Sequence, residues 1–202
     1  MNHRLSNYKN VLLQQIYFLV FLFLGCKSLS KSNSPLNFYE FRQNAHSIIF
    51  KTDEVPKYPQ WVYQYFSYYQ LDLPVPHYIG DFKAGNYNIA AHYFEPPTPM
   101  GTVFLIHGYL GHAANYNLLI DRLVQENYAV FAFDLPGHGL SSGVDSSIQS
   151  FSEYGDLVHQ LVNQTKNLIK PPHGIIGHST GGAVLIEYLR TQKSPFKHHI
   201  LG

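Results

Sequence analysis

The sequence predicts an α/β fold, a doubly wound and mostly parallel sheet with helices on both faces. From residue 101 onward, short continuous apolar runs alternate with segments whose apolar residues recur at helical spacing. Three of the apolar runs lead directly into glycine-containing segments, as expected where strands end in loops at the carboxyl edge of a sheet. Because crossovers between parallel strands are right-handed, these loops gather at one edge, where we expect the functional site.

Five strands are predicted along the chain. Residues 77–82 and 87–94 alternate between apolar and polar side chains, which predicts antiparallel edge strands. Residues 101–106, 129–133 and 174–176 are continuous apolar runs, which is typical of parallel strands buried on both faces.

Three helices are predicted between and after the parallel strands. Residues 115–125 and 151–169 each carry one apolar stripe, and residues 181–189 form a helix-like run directly after the third parallel strand. Ser150 and Glu153 have the spacing of a capping box at the start of the second helix. The stripe of the first helix consists of Tyr116, Leu119, Ile120, Leu123 and Val124.

The motif G-x-S-x-G at residues 177–181 lies between the strand 174–176 and the helix 181–189. In a nucleophile elbow, a serine occupies a tight strand-to-helix turn, and small neighbours let the backbone fold sharply enough to expose its hydroxyl. Gly177, His178 and Gly181 surround the serine here, and this context predicts Ser179 as a nucleophile. The alternative is a chance glycine–serine turn.

A second segment is predicted to supply a backbone donor that such a serine requires. Acyl transfer requires two backbone N–H groups aimed at the developing oxyanion. One normally comes from the residue after the nucleophile, here Thr180, and the other from the loop after an earlier strand. That loop is residues 107–111, in which His107 and Gly108 follow the strand directly. The donor predicted within it is the N–H of Tyr109.

Taken in order, L-I-H-G-Y, F-D-L-P-G-H-G-L-S-S-G and G-H-S-T-G-G resemble the α/β-hydrolase superfamily. They are most similar to the branch of monoglyceride lipases, lysophospholipases and serine-aminopeptidase-like hydrolases, and the resemblance covers about residues 76–202. The family pattern usually carries Arg at the position of Pro136 and Met at that of Thr180. Thr180 would still supply its N–H, although the floor of the acyl pocket changes.

The resemblance implies an α/β-hydrolase fold and hydrolysis of carboxylic esters without a cofactor, on lysophospholipids or monoacylglycerols. A peptidase of the same branch is the second interpretation, and a surface lipoprotein that only binds is the third. The histidines are scattered along the chain, and His198 and His199 lack partners at metal-ligand spacing, so no metal site is predicted. The net charge of +1 gives no reason to expect a nucleic-acid partner.

In this superfamily the acid and the histidine of the triad follow the serine in the chain. After Ser179, only Glu187, His198 and His199 are available, and all are expected to lie away from the hydroxyl. The resemblance makes Asp134 and His138 structural loop residues, with a catalytic role as the alternative.

The sequence therefore predicts a hydrolase truncated at its C-terminus. Its triad acid and base are expected beyond residue 202, and the chain as given is expected to be inactive. Strand 174–176 is expected to remain an unpaired sheet edge, which would favour aggregation.

The N-terminus predicts export. A weakly basic start precedes an apolar run at residues 16–24, too short to span a bilayer but suited to a signal peptide. Gly25 and Cys26 resemble the end of a bacterial lipobox, although Phe23 stands where leucine is usual. We expect residues 1–26 to be a signal peptide and Cys26 to be lipidated, anchoring the protein in the outer membrane. The alternatives are an ordinary cleaved signal or uncleaved anchor, with a periplasmic or secreted destination.

The region between this leader and the hydrolase-like part divides in two. Residues 27–37 are predicted to be a polar tether, and residues 38–75 an extension rich in aromatic side chains. Tyr and Trp favour membrane interfaces, so the extension could rest against lipid. The preferred interpretation is a helix that packs on its own domain.

Overall fold

A computed structural model describes residues 38–45, 50 and 57–202. The predicted signal peptide (1–26), Cys26 and the tether (27–37) lie outside the described residues. The helices are α1 (Phe38–Ala45), α2 (Gln60–Tyr68), α3 (Asn117–Gln125), α4 (Ser152–Thr165) and α5 (Thr180–Thr191). The strands are β1 (His77–Ala84), β2 (Tyr87–Phe94), β3 (Thr102–Ile106), β4 (Ala129–Phe133), β5 (Pro172–Gly177) and β6 (His198–Leu201).

The strands form one sheet in the order β1-β2-β4-β3-β5-β6. Strand β3 is parallel to β4 and to β5, and β5 is parallel to β6, whereas β2 is antiparallel to both of its neighbours. The predicted mostly parallel α/β fold is confirmed. Every residue of β3 and of β4 is buried, as their continuous apolar sequences require.

Two predictions about strand pairing were wrong. Strand β2 is not an edge, because it lies between β1 and β4. Strand β5 is not left unpaired either, since Gly174 to Gly177 pair with His198 to Leu201 of β6. The aggregation argument built on an open β5 edge therefore fails, and β6 occupies the edge of the described sheet.

Helix α4 is shorter than its apolar stripe predicted. It ends at Thr165, and the chain then turns toward Pro171 and Pro172, where β5 begins. Past Thr165, Ile169 packs against the core from a turn, whereas Leu168 is exposed. The capping box is half formed: the Ser150 N–H donates to the Glu153 carboxylate (3.1 Å), while the Ser150 hydroxyl contacts that of Ser152 (2.8 Å).

The aromatic extension contributes to the core. Helix α2 buries Val62, Tyr65 and Phe66 in the hydrophobic cluster on one face of the sheet, together with Ile79 and Phe94. This is what the packing interpretation of the extension expects. Across the described residues, no helix combines the length and the apolar character needed to cross a bilayer.

Candidate active site

Ser179 lies at the turn between β5 and α5, with φ 53° and ψ −117°. A positive φ is strained for a residue with a side chain, and neighbouring contacts hold it in place. Glycine is required on both sides: a Cβ at Gly177 would clash with the Gly181 carbonyl, and one at Gly181 with the Ile106 carbonyl. The strained turn leaves the Ser179 side chain exposed to solvent.

The loop after β3 lies directly against this turn. Strands β3 and β5 are neighbours, and the His178 N–H donates to the Ile106 carbonyl (3.1 Å) where the two strands end. A Cβ at Gly108 would lie 3.2 Å from the Ser179 Cβ. The predicted oxyanion loop and the predicted nucleophile are therefore in van der Waals contact.

The backbone N–H groups around Ser179 differ in what they bind. The Gly108 N–H donates to the Tyr116 hydroxyl (3.1 Å), and the Gly111 N–H donates to the Gly108 carbonyl (3.1 Å). Within the described part of the chain, the N–H groups of Tyr109 and Thr180 have no acceptor. Thr180 also begins α5, where the helix dipole favours negative charge. Two unbonded donors thus border an exposed hydroxyl, an arrangement that can stabilise an oxyanion.

His107 fixes the start of the oxyanion loop. Its Nε2 accepts a hydrogen bond from the Leu135 N–H (2.8 Å), so its Nδ1 carries the proton and donates to the Gly108 carbonyl (2.8 Å). Burial lowers the pKa of the His107 imidazole to about 3, which keeps the ring neutral. A neutral ring that is bonded at both nitrogens supports the loop and does not act as a base.

Asp134 and His138 lie at the same edge of the sheet in structural roles. Each carboxylate oxygen of Asp134 accepts one backbone N–H, from Ala113 (2.7 Å) and from Leu140 (2.7 Å). Burial raises the pKa of this carboxyl to about 6. His138 donates from Nδ1 to the Pro136 carbonyl (2.8 Å). Both side chains hold the loop that follows β4.

The acid and histidines that follow Ser179 lie elsewhere. Glu187 forms an ion pair with Arg190 (2.7 Å) on α5. His198 and His199 pair with Gly174 and Ile175, near the start of β5, whereas Ser179 follows the end of that strand. None of the three reaches the nucleophile, as expected from the sequence.

Sequence reasoning missed Tyr116. Its position on an apolar helical stripe indicated burial only, but its hydroxyl lies 2.8 Å from His178 Nδ1 in addition to the Gly108 N–H. Nothing in the spacing could reveal this contact, because it joins two loops far apart in sequence. No group of three or more metal-ligating side chains occurs among residues 38–45, 50 and 57–202.

Comparison with known proteins gives a family. The family described as "Serine aminopeptidase, S33" matches residues 97–202, slightly more than half of the chain. The matched region begins just before β3 and includes both the oxyanion loop and the elbow.

Similar proteins include lipases and a phospholipase. "Phospholipase YtpA" of Bacillus subtilis is 33% identical over 97 residues, 48% of this chain and 37% of that protein. "Monoacylglycerol lipase" of Mycolicibacterium smegmatis is 33% identical over 106 residues, 52% of this chain and 38% of that protein. The chain therefore spans less than half the length of these relatives.

Solved structures share the fold. A carboxyl esterase from Bacillus coagulans superimposes with a TM-score of 0.52 and 23% identity, over 62% of this chain and 43% of that one. An esterase from Exiguobacterium antarcticum superimposes with a TM-score of 0.53 and 19% identity, over 60% of this chain and 44% of that one. At these identities the likeness concerns the α/β-hydrolase fold alone.

Proposed function

Because the chain belongs to the family described as "Serine aminopeptidase, S33", we propose that it carries the nucleophile and oxyanion hole of a serine hydrolase acting on carboxylic esters. The observation that supports this most directly is the exposed Ser179 on a strained turn. It is bordered by the N–H groups of Tyr109 and Thr180, which have no acceptor in the described part of the chain. His107, Gly108, Gly177, His178 and Gly181 are proposed to support this geometry.

In the proposed reaction, the Ser179 hydroxyl oxygen attacks the ester carbonyl while a general base takes its proton. The carbonyl oxygen becomes an oxyanion that accepts hydrogen bonds from the N–H groups of Tyr109 and Thr180. The C–O bond then breaks, the alcohol leaves with a proton, and water hydrolyses the acyl-enzyme. The acid and histidines that follow Ser179 do not reach its hydroxyl; they are Glu187, His198 and His199. We therefore propose that the triad acid and base come from residues encoded beyond Gly202.

For the substrate we propose a lysophospholipid or a monoacylglycerol. The names of the similar proteins from Bacillus subtilis and Mycolicibacterium smegmatis support a lipid ester. A peptidase is the second candidate, favoured by the description of the matching family. The two candidates are separated by comparing turnover of monoacylglycerols with turnover of aminoacyl p-nitroanilides.

The decisive variant is Ser179→Ala, in protein expressed from the complete open reading frame. We expect hydrolysis of p-nitrophenyl esters to fall by at least about 10⁴-fold, because the nucleophile is lost. Labelling by a fluorophosphonate should also disappear, while the circular dichroism spectrum is retained. Ser147→Ala, at an exposed serine away from the elbow, serves as the control. Retained turnover in Ser179→Ala would overturn the assignment, and wild-type protein that neither turns over esters nor labels would favour a binding lipoprotein.

We also propose that Cys26, which lies outside the described residues, is lipidated and anchors the protein in the outer membrane. Growth with radiolabelled palmitate should label the wild-type protein, and Cys26→Ser should remove the label and release the protein from membranes. Unlabelled protein cleaved at another position would instead indicate simple export.

A further inference from the structure

Tyr116 connects the two halves of the candidate site. A short 3-10 turn, Ala113–Tyr116, follows the oxyanion loop and leads directly into α3. This turn carries the Tyr116 ring back over the loop. Its hydroxyl lies 3.1 Å from the Gly108 nitrogen and 2.8 Å from His178 Nδ1. One oxygen therefore contacts both the loop after β3 and the elbow after β5.

We call the Tyr116 hydroxyl and its contacts with Gly108 and His178 the junction. The chemistry of the partners determines the direction of each hydrogen bond in it. The Gly108 N–H can only donate, so the Tyr116 hydroxyl oxygen accepts that bond. The hydroxyl proton is then available to His178 Nδ1, which makes the Nε2–H form of His178 the matching tautomer. If Nδ1 instead carries a proton, the same oxygen accepts both bonds. In either case the oxygen joins Gly108 to His178.

The junction bears on the geometry that acyl transfer needs. The Gly108 N–H is occupied by Tyr116, whereas the N–H of the next residue, Tyr109, has no acceptor among the residues that the structure describes. His178 directly precedes the nucleophile, so the junction spans the gap between the donor loop and Ser179. Oxyanion donors are effective only when they are held within about 0.5 Å of the productive position.

Building on the proposed function, we infer that Tyr116 is a positioning residue for catalysis. Its hydroxyl fixes the distance between the oxyanion loop and the elbow, and so places the Tyr109 N–H relative to Ser179. A second hydrogen bond, from His107 Nδ1 to the Gly108 carbonyl, still holds the loop when this hydroxyl is removed. The ring also packs against the buried cluster beside α3, and that packing survives removal of the oxygen.

The test is Tyr116→Phe in protein expressed from the complete open reading frame, with kcat and KM measured separately on p-nitrophenyl butyrate. We expect kcat to fall about 10- to 100-fold, somewhat less than the 10²- to 10³-fold typical of a deleted oxyanion donor, because the donor is displaced and not removed. KM should change by less than about threefold. Tyr128→Phe is the matched control, since Tyr128 is also half-buried but precedes β4 at the opposite end of the strands.

A second variant shows whether the effect passes through the elbow. His178→Ala removes the other end of the contact and should give a similar loss of kcat. The double variant should lose no more than the worse single variant, because both act through the same contact. Should Tyr116→Phe fail to fold, His178→Ala decides alone, and a kcat at the wild-type level then overturns the inference.

The outcomes separate this inference from the proposed function. An inactive Ser179→Ala together with a Tyr116→Phe enzyme of wild-type kcat overturns only the positioning role. A raised KM with unchanged kcat also overturns it, because that pattern indicates a ground-state binding contact. An active Ser179→Ala overturns the proposed function itself, whatever Tyr116→Phe does.

Discussion

Two regions at the carboxyl edge of the sheet differ in the exposure and the strain of their backbone. We call residues 107–111 and 177–181 the open edge, and residues 134–143 the closed loop. At the open edge, the N–H groups of Tyr109 and Thr180 have no acceptor among the described residues, and Ser179 is held at φ 53°. In the closed loop, Asp134 uses both carboxylate oxygens on backbone N–H groups.

A second buried side chain of the closed loop is satisfied in the same manner. The buried Ser141 hydroxyl donates to the Asp134 carbonyl (2.6 Å) and accepts from the Ala90 N–H (2.9 Å). A residue with a side chain that is held at a positive φ costs about 1–3 kcal/mol. The open edge retains this cost at Leu110 and Ser179, whereas the positive φ angles of the closed loop fall on glycines. The proposed reactive groups therefore lie in the exposed and strained region and not in the buried loop, although both regions are rich in glycine.

We expect the largest effect from acid, which should lower the free energy of unfolding through the buried histidines near both regions. Burial lowers the pKa of His92, His107 and His112 to about 3, so the unfolded chain takes up protons on them near pH 6.5 and the folded chain does not. The free energy of unfolding therefore falls as the pH is lowered from 7 to 5, by about 2 kcal/mol for each histidine. Asp134 opposes this by about 1 kcal/mol, because its pKa is raised to about 6.

Thermal denaturation followed by circular dichroism at pH 7 and pH 5 checks this. We expect the Tm to fall by roughly 10 °C. His92→Phe should lessen the pH dependence because phenylalanine takes up no proton, and it should lower the Tm at pH 7 because the buried His77–His92 hydrogen bond (3.0 Å) is lost. His198→Gln, at an exposed position, is the control. A Tm that does not change between the two pH values would mean that these histidines are not buried as described.

A smaller effect should separate stability from reactivity. Ser141→Ala leaves the buried Ala90 N–H without its acceptor, and we expect the free energy of unfolding to fall by about 2 kcal/mol. Ser142→Ala is the matched control, because its hydroxyl accepts the Asn88 N–H (2.8 Å) at a half-buried site that water can reach. It should cost less than about 1 kcal/mol. Fluorophosphonate labelling per folded molecule should stay the same in both, and a selective loss in Ser141→Ala would contradict the division between the two regions.

The sequence allowed most of the elements and the sharp turn at Ser179 to be predicted, but not all of the strand pairing. Apolar runs located β3, β4 and β5, and Gly177 and Gly181 indicated the sharp turn at Ser179, because these are local requirements. The pairing of β2 with β4 and of β5 with β6 depends on distant segments, which is why two edge predictions were wrong. The Tyr116 contact could not be predicted for the same reason, because it joins segments far apart in sequence.

We expect the smallest effect from removing the Tyr109 side chain, which tests whether only its backbone N–H matters at the open edge. Tyr109→Ala removes an exposed side chain but keeps the backbone N–H that is proposed to bind the oxyanion. We expect kcat/KM on p-nitrophenyl butyrate to fall by less than about tenfold, against the 10²- to 10³-fold that follows loss of an oxyanion donor. The Tm should change little, because surface substitutions away from special contacts usually alter stability by about 0.5 kcal/mol or less. A hundredfold loss of kcat/KM with the fold intact would contradict this expectation, because it would assign the contribution to the Tyr109 side chain and not to its N–H.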